Sequence, residues 1–369
     1  MNLLKHIQSS FSKDEVMYSP LKKSEKKEVY SLLKASLKEA DDQGLMKEHH
    51  KLVKVIAEST ALHNRNNVTR TSAYLSYYLR NPEVHWAFLA HMVSRNGGWS
   101  MTDLQSGSIS ALLTKSEQTA FFHFLEKANA LIFQDAYPQL LIYEKSKLLQ
   151  KPLFSLLKCF SVSTFMKMNW EYFYQRRSSQ LLTAALITNE QNLIQQVLLS
   201  TAQVKEMIFQ NVKFSLQELM GFTNVFFPYS KEKPYYSLAG VEVKNFSSLS
   251  HRIHTGKVLY HILFFHPSVL SSSSQFARAV PHSGSRSDYW PHFYSKTKNQ
   301  SKRIYSPSLV EAWPDVPHVY TVTSDWFCSV KDVAGFERLS RYKSCDITQD
   351  VLRECSILQF LSALSPSSM

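Results

Sequence analysis

Apolar residues recur at helical spacing along most of the chain. In residues 45–63, for example, Leu52, Val53 and Ile56 form one stripe opposite charged side chains, which is the pattern of a helix with one buried face. The same spacing predicts helices at 23–40, 45–63, 68–79, 83–95, 118–133, 140–149, 162–176, 179–199, 202–211, 246–265, 268–279 and 348–363. We therefore predict a mainly α-helical, multi-helix globular protein with an irregular basic region toward its C-terminus.

Turn residues mark the ends of the central helices. Asn81, Pro82 and Glu83 supply a capping residue, a proline for the first turn and an early acid, so they predict the start of a helix at 83. This helix should stop at Gly97-Gly98, and residues 135–138 should form a turn before the next helix. Because helix 83–95 is apolar nearly all round, we expect it to lie buried between neighbours.

Strand signals are weak. The chain has only nine glycines in 369 residues, which argues against a fold with many tight turns. One short strand is predicted at 319–323, and residues 228–240, with two prolines, are predicted to form a loop at a domain boundary. The resulting division is an N-terminal helical extension (1–44), a helical core domain (45–225) and a basic helical and irregular region (226–369) that can pack on the core as one domain.

The start of the chain and its cysteines favour a cytoplasmic location. Residues 1–15 contain no apolar run of signal-peptide length, and the most lipid-like run, 258–265, is much shorter than the ~20 residues of a membrane-spanning helix. Four cysteines show no CxxC spacing, which is typical of reduced structural thiols. We expect no transmembrane segment and no cofactor, and the sequence does not determine an oligomeric state.

Positive charge is concentrated in the last third of the chain. The net charge is +12, and residues 243–310 contain nine Lys or Arg against one acid, Asp288, a local excess of +8. The nine are Lys244, Arg252, Lys257, Arg278, Arg286, Lys296, Lys298, Lys302 and Arg303. Such a concentration favours an anionic partner.

Residues 281–303 combine these charges with hydroxyls and aromatic rings, a mixture that suits phosphate groups and stacked bases. We predict that Lys257, Arg286, Lys302 and Arg303 pair with phosphate, that His254 and His282 donate hydrogen bonds, and that Tyr289 and Trp290 stack on the ligand or wall the site. The partner would be a nucleic acid or a phosphorylated small molecule. The alternative is a loop whose rings anchor it to the core while its charges stay in solvent.

A second concentration of polar residues lies between 65 and 104. Its candidate residues are Arg70, Glu83, His85, His91, Arg95 and Asp103. They include enough acids and bases for acid–base catalysis. A buried polar network that holds helices in register is the favoured explanation of these residues.

The common catalytic and metal motifs are missing. His254 and His261 are seven residues apart, ~10.5 Å along a helix, which is too far for one zinc ion. The Gly256-Lys257 pair lacks the upstream glycine and the following Ser or Thr of a phosphate-binding loop, and no GxSxG sequence occurs. We therefore predict no metal site.

Four segments resemble a known family, the YppC-like proteins of Bacillus and relatives. They are NVTRTSAYLSYYLRNPEVHWAFLAHMVSRNGGWSMTDL (67–104), EKANALIFQDAYPQLLIYEKSK (126–147), HTGKVLYHILF (254–264) and GSRSDYWPHF (284–293). The resemblance covers about residues 45–330 and implies a cytosolic bacterial protein with a domain of unknown function. It implies no activity, so no catalytic residue is carried over.

Three classes of function stay open: an anion-binding protein, an acid–base enzyme acting on a phosphate-bearing or polar substrate, and a helical interaction scaffold. The enzyme hypothesis requires that the 83–103 segment and Arg286 meet in space. The anion-binding hypothesis requires the basic side chains to gather on one surface. The distance between Arg286 and the helix that carries His85 and Arg95 is therefore the most informative observation.

Overall fold

The computed structural model describes residues 21–38, 47–199, 224–232, 235–243, 247–295, 304–313, 315, 318–322, 324–339, 342 and 345–364. The predicted helix at 202–211, and Lys302 and Arg303 of the predicted anion site, lie outside these residues.

Twelve α-helices occupy most of the described chain, so the prediction of a mainly α protein is confirmed. They are α1 (Lys23–Ser36), α2 (Lys47–His63), α3 (Asn67–Arg80), α4 (His85–Thr102), α5 (Gly107–Ser110), α6 (Lys115–Leu149), α7 (Thr164–Arg176), α8 (Ser179–Val197), α9 (Leu249–Phe264), α10 (Pro267–Ala279), α11 (Leu309–Ala312) and α12 (Thr348–Leu364). Short 3-10 helices lie at Asp103–Gln105, Phe154–Phe160, Arg286–Asp288 and Val330–Val333.

Two predicted helix ends are wrong, and tertiary packing explains both. Helix α6 continues through Pro138, which lies between the fully buried Phe133 and Leu140. Helix α4 continues past Gly97-Gly98 to Thr102, because the Asn96 side chain is fixed to both the N–H and the C=O of Phe226 (3.1 and 2.9 Å). Packing of this kind outweighs the cost of a glycine within a helix, about 1 kcal/mol relative to alanine.

The junction between α3 and α4 also differs from its prediction. Asn81 ends α3 instead of starting α4: its N–H donates to the carbonyl of Tyr77 (3.0 Å), and its side chain donates to Glu144 (2.9 Å). Helix α4 begins two residues after Glu83, at His85.

The described strands form a hairpin where a loop was predicted. Strand β1 (Asn224–Glu232) pairs antiparallel with β2 (Tyr235–Glu242), with a bulge at Ser230. The strands need a glycine at 240, because a Cβ there would lie 2.2 Å from the carbonyl oxygen of Val225. The hairpin packs against α10 and α4. A second ladder, β3 (Tyr294–Ser295) with β4 (Ile304–Tyr305), is parallel and two residues long.

Residues 318–322 do not form the predicted strand. Their backbone is held by the side chain of Gln134 on α6, which accepts from the N–H of Tyr320 (2.9 Å) and donates to its C=O (2.6 Å). The side-chain amide of Gln134 thus makes the hydrogen bonds to Tyr320 that a neighbouring strand would make in a sheet.

One continuous hydrophobic core joins these elements. It extends from Val29 on α1, through Trp86 on α4 and Trp170 on α7, to Leu358 on α12. The two sides of the predicted boundary at 225 share this core, and the division into domains stays a prediction. Within the residues described, no helix is both long and apolar enough to span a membrane.

Candidate functional site

The 281–290 segment and helix α4 meet in space. The 3-10 helix Arg286–Asp288 packs directly on α4. Arg95 donates to the carboxylate of Asp288 (3.3 Å), and the backbone N–H of Arg286 donates to the carboxylate of Asp103 (3.2 Å). Members of the two candidate groups therefore form one buried assembly, which we call the loop cluster: Asn67, His91, Arg95, Asp103, His282, Arg286 and Asp288.

Hydrogen bonds in the loop cluster orient the ring of His282. The amide nitrogen of Asn67 donates to the carbonyl of Ser94 (2.9 Å), so its oxygen must accept from Nε2 of His282 (2.5 Å). The other ring nitrogen, Nδ1, lies 3.4 Å from the backbone nitrogen of Gly284 and 3.4 Å from the carboxylate of Asp288. Burial lowers the pKa of His282, so the neutral ring is the stable form.

Arg95 and Asp288 form the ion pair of the loop cluster. Both side chains are almost completely buried. Asp288 also accepts from the hydroxyl and the N–H of Ser283 (2.5 and 2.9 Å), and Arg95 donates to the carbonyl of Val280 (2.8 Å). Burial alone would raise the pKa of Asp288, but its interactions with His282 and Arg95 lower it. Both members of the pair therefore have protein partners, although Arg95 Nε is buried without a hydrogen-bond partner among the described residues.

His91 and Asp103 are also held by protein groups. His91 donates from Nδ1 to the carbonyl of Thr71 (2.8 Å), and burial lowers its pKa to about 3, so the ring is neutral. Burial raises the pKa of Asp103 to about 8 against the hydrogen bonds from Ser306, Arg286 and Ser285. Asp103 therefore carries a proton at neutral pH.

The remaining predicted anion-binding residues of the 281–290 segment lie in the core. Arg286 donates to the carbonyl of Asn224 (2.8 Å) and lies 4.1 Å above the ring of Phe226. Tyr289 stacks on Phe276 at 5.0 Å. Trp290 donates to the carbonyl of Tyr236 (2.8 Å). All three side chains are buried, so a ligand would reach them only if this segment opened, and their binding role stays a prediction.

Lys257 and His254 lie on α9, where they face different surroundings. The Lys257 ammonium is buried 3.5 Å from the carbonyl of Gly335. Burial lowers the pKa of Lys257 to about 8, against the charge of Glu337. His254 is exposed. The structure therefore does not bring Lys257 together with Arg286.

Three residues of the second predicted group belong to separate contacts. Arg70 forms a buried ion pair with Glu126 (2.6 Å). Glu83 accepts from Lys147 (2.8 Å). His85 shares a hydrogen bond with the Tyr260 hydroxyl (2.8 Å), and burial lowers its pKa to about 4. These are the register contacts that a buried polar network would provide.

A cavity of about 180 Å³ lies on the opposite side of α4, between α4, α8, α9 and β1. Most of its wall is apolar, with Trp86, Leu89, Val93, Ile187 and Leu259 contributing large side chains. The cavity lining also includes six polar residues: Ser94, Asn129, Glu190, Gln191, Arg252 and Thr255. A concave, largely apolar site with a few converging polar groups is the usual form of a small-molecule site.

Four of the lining residues form a hydrogen-bonded chain, which we call the polar wall: Trp86, Glu190, Gln191 and Arg252. Arg252 Nε donates to the amide oxygen of Gln191 (3.0 Å). The amide nitrogen of Gln191 then donates to Glu190 Oε1 (3.2 Å), and Trp86 donates to Glu190 Oε2 (3.2 Å). These hydrogen bonds hold both the Gln191 amide and the Glu190 carboxyl group against the cavity.

The polar wall has one positive charge at neutral pH. Burial raises the pKa of Glu190 to about 8, against hydrogen bonds from Gln191 and Trp86, and Asp135 adds to the rise. Burial lowers the pKa of Arg252 to about 10, so its guanidinium stays charged. A protonated acid and a cation therefore line the same apolar cavity, with the Gln191 amide between them.

The sequence patterns did not identify Glu190 or Gln191 as site residues, and Arg252 was counted only as a charge. One signal was present, since Glu190 is the sole charged residue in 179–199. Nothing in the sequence indicated its proximity to Arg252. No cluster of three or more metal-ligating side chains occurs among the residues that the structure covers.

The described residues form a mainly helical globular protein with an apolar-lined cavity. The chain belongs to the family of proteins of unknown function DUF2515, whose pattern matches residues 62–348. It is similar to the uncharacterized protein YppC of Bacillus subtilis (strain 168), with 40% identity over 315 residues, 85% of this chain and 95% of the relative. The predicted family resemblance is thereby confirmed. No solved structure matches the chain.

Proposed function

We propose that this protein binds a small anionic organic molecule in the cavity between α4, α8, α9 and β1. The observation that carries the proposal is the polar wall, in which the Arg252 guanidinium and the neutral carboxyl group of Glu190 line one apolar cavity, separated by the Gln191 amide. An anionic group on the ligand would pair with Arg252. The apolar body of the ligand would contact Trp86, Leu89 and Leu259.

The size of the cavity limits the ligand. A cavity of about 150 Å³ is known to hold benzene, and this one measures about 180 Å³. The ligand would therefore have about ten non-hydrogen atoms. A carboxylate or a monophosphate on a branched or aromatic body fits this limit.

A small ligand is favoured over a nucleic acid by the positions of the aromatic rings. Tyr289 and Trp290, the rings predicted to stack on bases, are 2% and 1% exposed. Stacking on single-stranded nucleic acid needs exposed ring faces. Trp86 and Tyr74 are equally buried (1% and 2% exposed), but they line the cavity, where a small molecule and not a nucleic-acid strand would fit.

The proposal is tested by titrating the full-length protein with benzoate and phenyl phosphate, and with the uncharged analogue benzamide, using calorimetry and thermal unfolding. We expect at least one anion to bind and to raise the unfolding temperature, since a ligand specific for the folded state stabilises it. Benzamide should bind at least about tenfold more weakly, the effect of one charge-assisted hydrogen bond.

The key variant is Arg252→Gln, which keeps a polar side chain and removes the charge. Its matched control is Arg353→Gln, since the Arg353 side chain is 79% exposed on α12. Arg252→Gln should abolish the preference for anions, and the control should preserve it. Equal binding of anions by wild type and Arg252→Gln, or no binding of either anion, would rule out this function. If Arg252→Gln does not fold, Gln191→Leu tests the polar wall instead, because it removes the amide oxygen that accepts from Arg252 Nε.

A further inference from the structure

Glu190 has unused hydrogen-bonding capacity at the cavity. Its two carboxyl oxygens accept one hydrogen bond each, from Trp86 and Gln191, both 3.2 Å long. A protonated carboxyl group that accepts two hydrogen bonds still has one O–H to donate. Because Glu190 lines the cavity, a ligand atom there can accept this O–H.

The surroundings of Glu190 favour the protonated form. Both of the hydrogen bonds described for it come from neutral groups, whereas a buried carboxylate needs a positive partner. The titratable groups that face it are Asp135 on α6 and Tyr74 on α3. Arg252 lies beyond Gln191 on the same wall. The geometry therefore keeps a proton donor and a cation side by side, separated by one amide.

We propose that the cavity selects a small 2-oxo or hydroxy acid, whose carboxylate pairs with Arg252 and whose second oxygen accepts the O–H of Glu190. This inference rests on the proposed function, because it requires the same cavity and the same role for Arg252. A simple carboxylic acid would use only the Arg252 end of the polar wall. The oxo or hydroxy oxygen would give the ligand a second contact, with Glu190, at a fixed distance from its carboxylate.

A matched pair of ligands isolates the second contact. The pair is 3-methyl-2-oxobutanoate and 3-methylbutanoate, which share the carboxylate and the branched body and differ in the oxo group. Calorimetry on the full-length wild type at pH 6.5 should show the oxo acid binding about tenfold more tightly, the gain expected from one buried hydrogen bond. Raising the pH to 9 should remove this advantage as Glu190 ionises.

Two variants and one control locate the effect. Glu190→Leu should bind both acids with equal affinity at every pH. Glu190→Gln, whose amide still donates, should retain part of the advantage and lose its dependence on pH. Glu58→Gln, on a side chain that is 64% exposed, should behave as wild type. If the Glu190 variants do not fold, a measurement on wild type replaces them. Calorimetry near pH 8, in buffers of different ionisation enthalpy, then measures the protons taken up when the oxo acid binds.

The outcomes separate this inference from the proposed function. Equal binding of the two acids by wild type at all pH values would overturn the role of Glu190 and leave the anion site intact. Absence of binding by either acid, together with absence of binding by benzoate and phenyl phosphate, would overturn both proposals. Tighter binding of the matching amine, 3-methylbutylamine, above pH 8 would mean that Glu190 acts as a carboxylate toward a cation, and it would likewise overturn this inference.

Discussion

The loop cluster and the polar wall lie on opposite sides of helix α4 and use the same kinds of side chain, yet only the residues of the polar wall line the cavity. In the loop cluster, Arg95 and Asp288 direct their hydrogen bonds to protein groups inside the core. In the polar wall, Glu190 and Arg252 also line a cavity. Buried charges that satisfy one another stabilise a fold, whereas buried charges beside a cavity can act on a ligand.

The largest effect should come from breaking the ion pair of the loop cluster. Asp288→Ala leaves the Arg95 guanidinium buried without its carboxylate, so the free energy of unfolding should fall by about 3–5 kcal/mol. Urea unfolding measures this change. The control is Asp350→Ala, at an exposed ion pair on α12, which should cost less than about 1 kcal/mol. A cost below 1 kcal/mol for Asp288→Ala would show that the two regions do not differ as described.

A smaller effect is expected where the cavity depends on close helix packing. A Cβ at Gly256 would lie 2.7 Å from Ile187 Cγ2, so Gly256→Ala should push α9 away from α8 and cost about 1–3 kcal/mol by overpacking. Adding Ile187→Val should recover part of this cost. The matched control is Gly107→Ala, where the nearest atom in the way is 4.0 Å distant. Equal unfolding midpoints for the two alanine variants would contradict the close contact.

The dependence of stability on pH should distinguish the regions further. Burial raises the pKa of Asp103 and Glu190 to about 8, so the folded protein holds protons that the unfolded chain releases near pH 4. Between pH 6.5 and 7.5 the free energy of unfolding should therefore fall as pH rises, by up to about 1.4 kcal/mol per pH unit and group.

Asp135, whose pKa burial raises to about 7, adds to the fall within that interval, whereas three other groups act outside it. His85 and His91 have pKa values of about 4 and 3 in the folded protein. They should therefore reduce the free energy of unfolding as the pH falls below their unfolded pKa near 6.5. Lys257, with a pKa of about 8, should increase stability only at higher pH. Asp103→Asn and Glu190→Gln should each flatten the fall between pH 6.5 and 7.5, and Glu58→Gln should not. A flat wild-type profile in this interval would show that these acids are ionised in the folded protein.

The smallest effect is expected at the polar wall itself. Glu190→Gln retains an oxygen acceptor for Trp86 and removes an ionisable group from a buried position, so at pH 6.5 stability should change by less than about 1 kcal/mol. Urea unfolding of Glu190→Gln and Asp288→Ala under the same conditions compares the two losses of stability directly. A loss as large as that of Asp288→Ala would mean that Glu190 mainly supports the fold.

Helical spacing predicted the architecture because most helices bury one face and expose the other. It failed at Pro138 and at Gly97-Gly98, where local breakers are overruled by contacts from distant segments, such as Asn96 with Phe226. The β1 and β2 hairpin was missed because its proline at 228 is typical of loops and its partner strand has no strict alternation of polar and apolar residues.

The sites were less predictable than the fold. Sequence patterns identified Arg95, His282 and Asp103 as polar residues that required explanation, and the structure brings them together. The polar wall combines α4, α8 and α9, whose residues are more than fifty positions apart in sequence. No local pattern connects Glu190 with Arg252, so only the packed helices reveal the cavity.

Helix α4 carries the loop cluster on one side and the cavity on the other, and Ser94 belongs to both, since its carbonyl accepts from Asn67 while the residue lines the cavity. Rotation of this helix about its axis would break the buried contacts of Arg95 and His91. These contacts therefore position one wall of the cavity, so a ligand of the proposed kind would meet a surface whose placement depends on side chains that it does not touch.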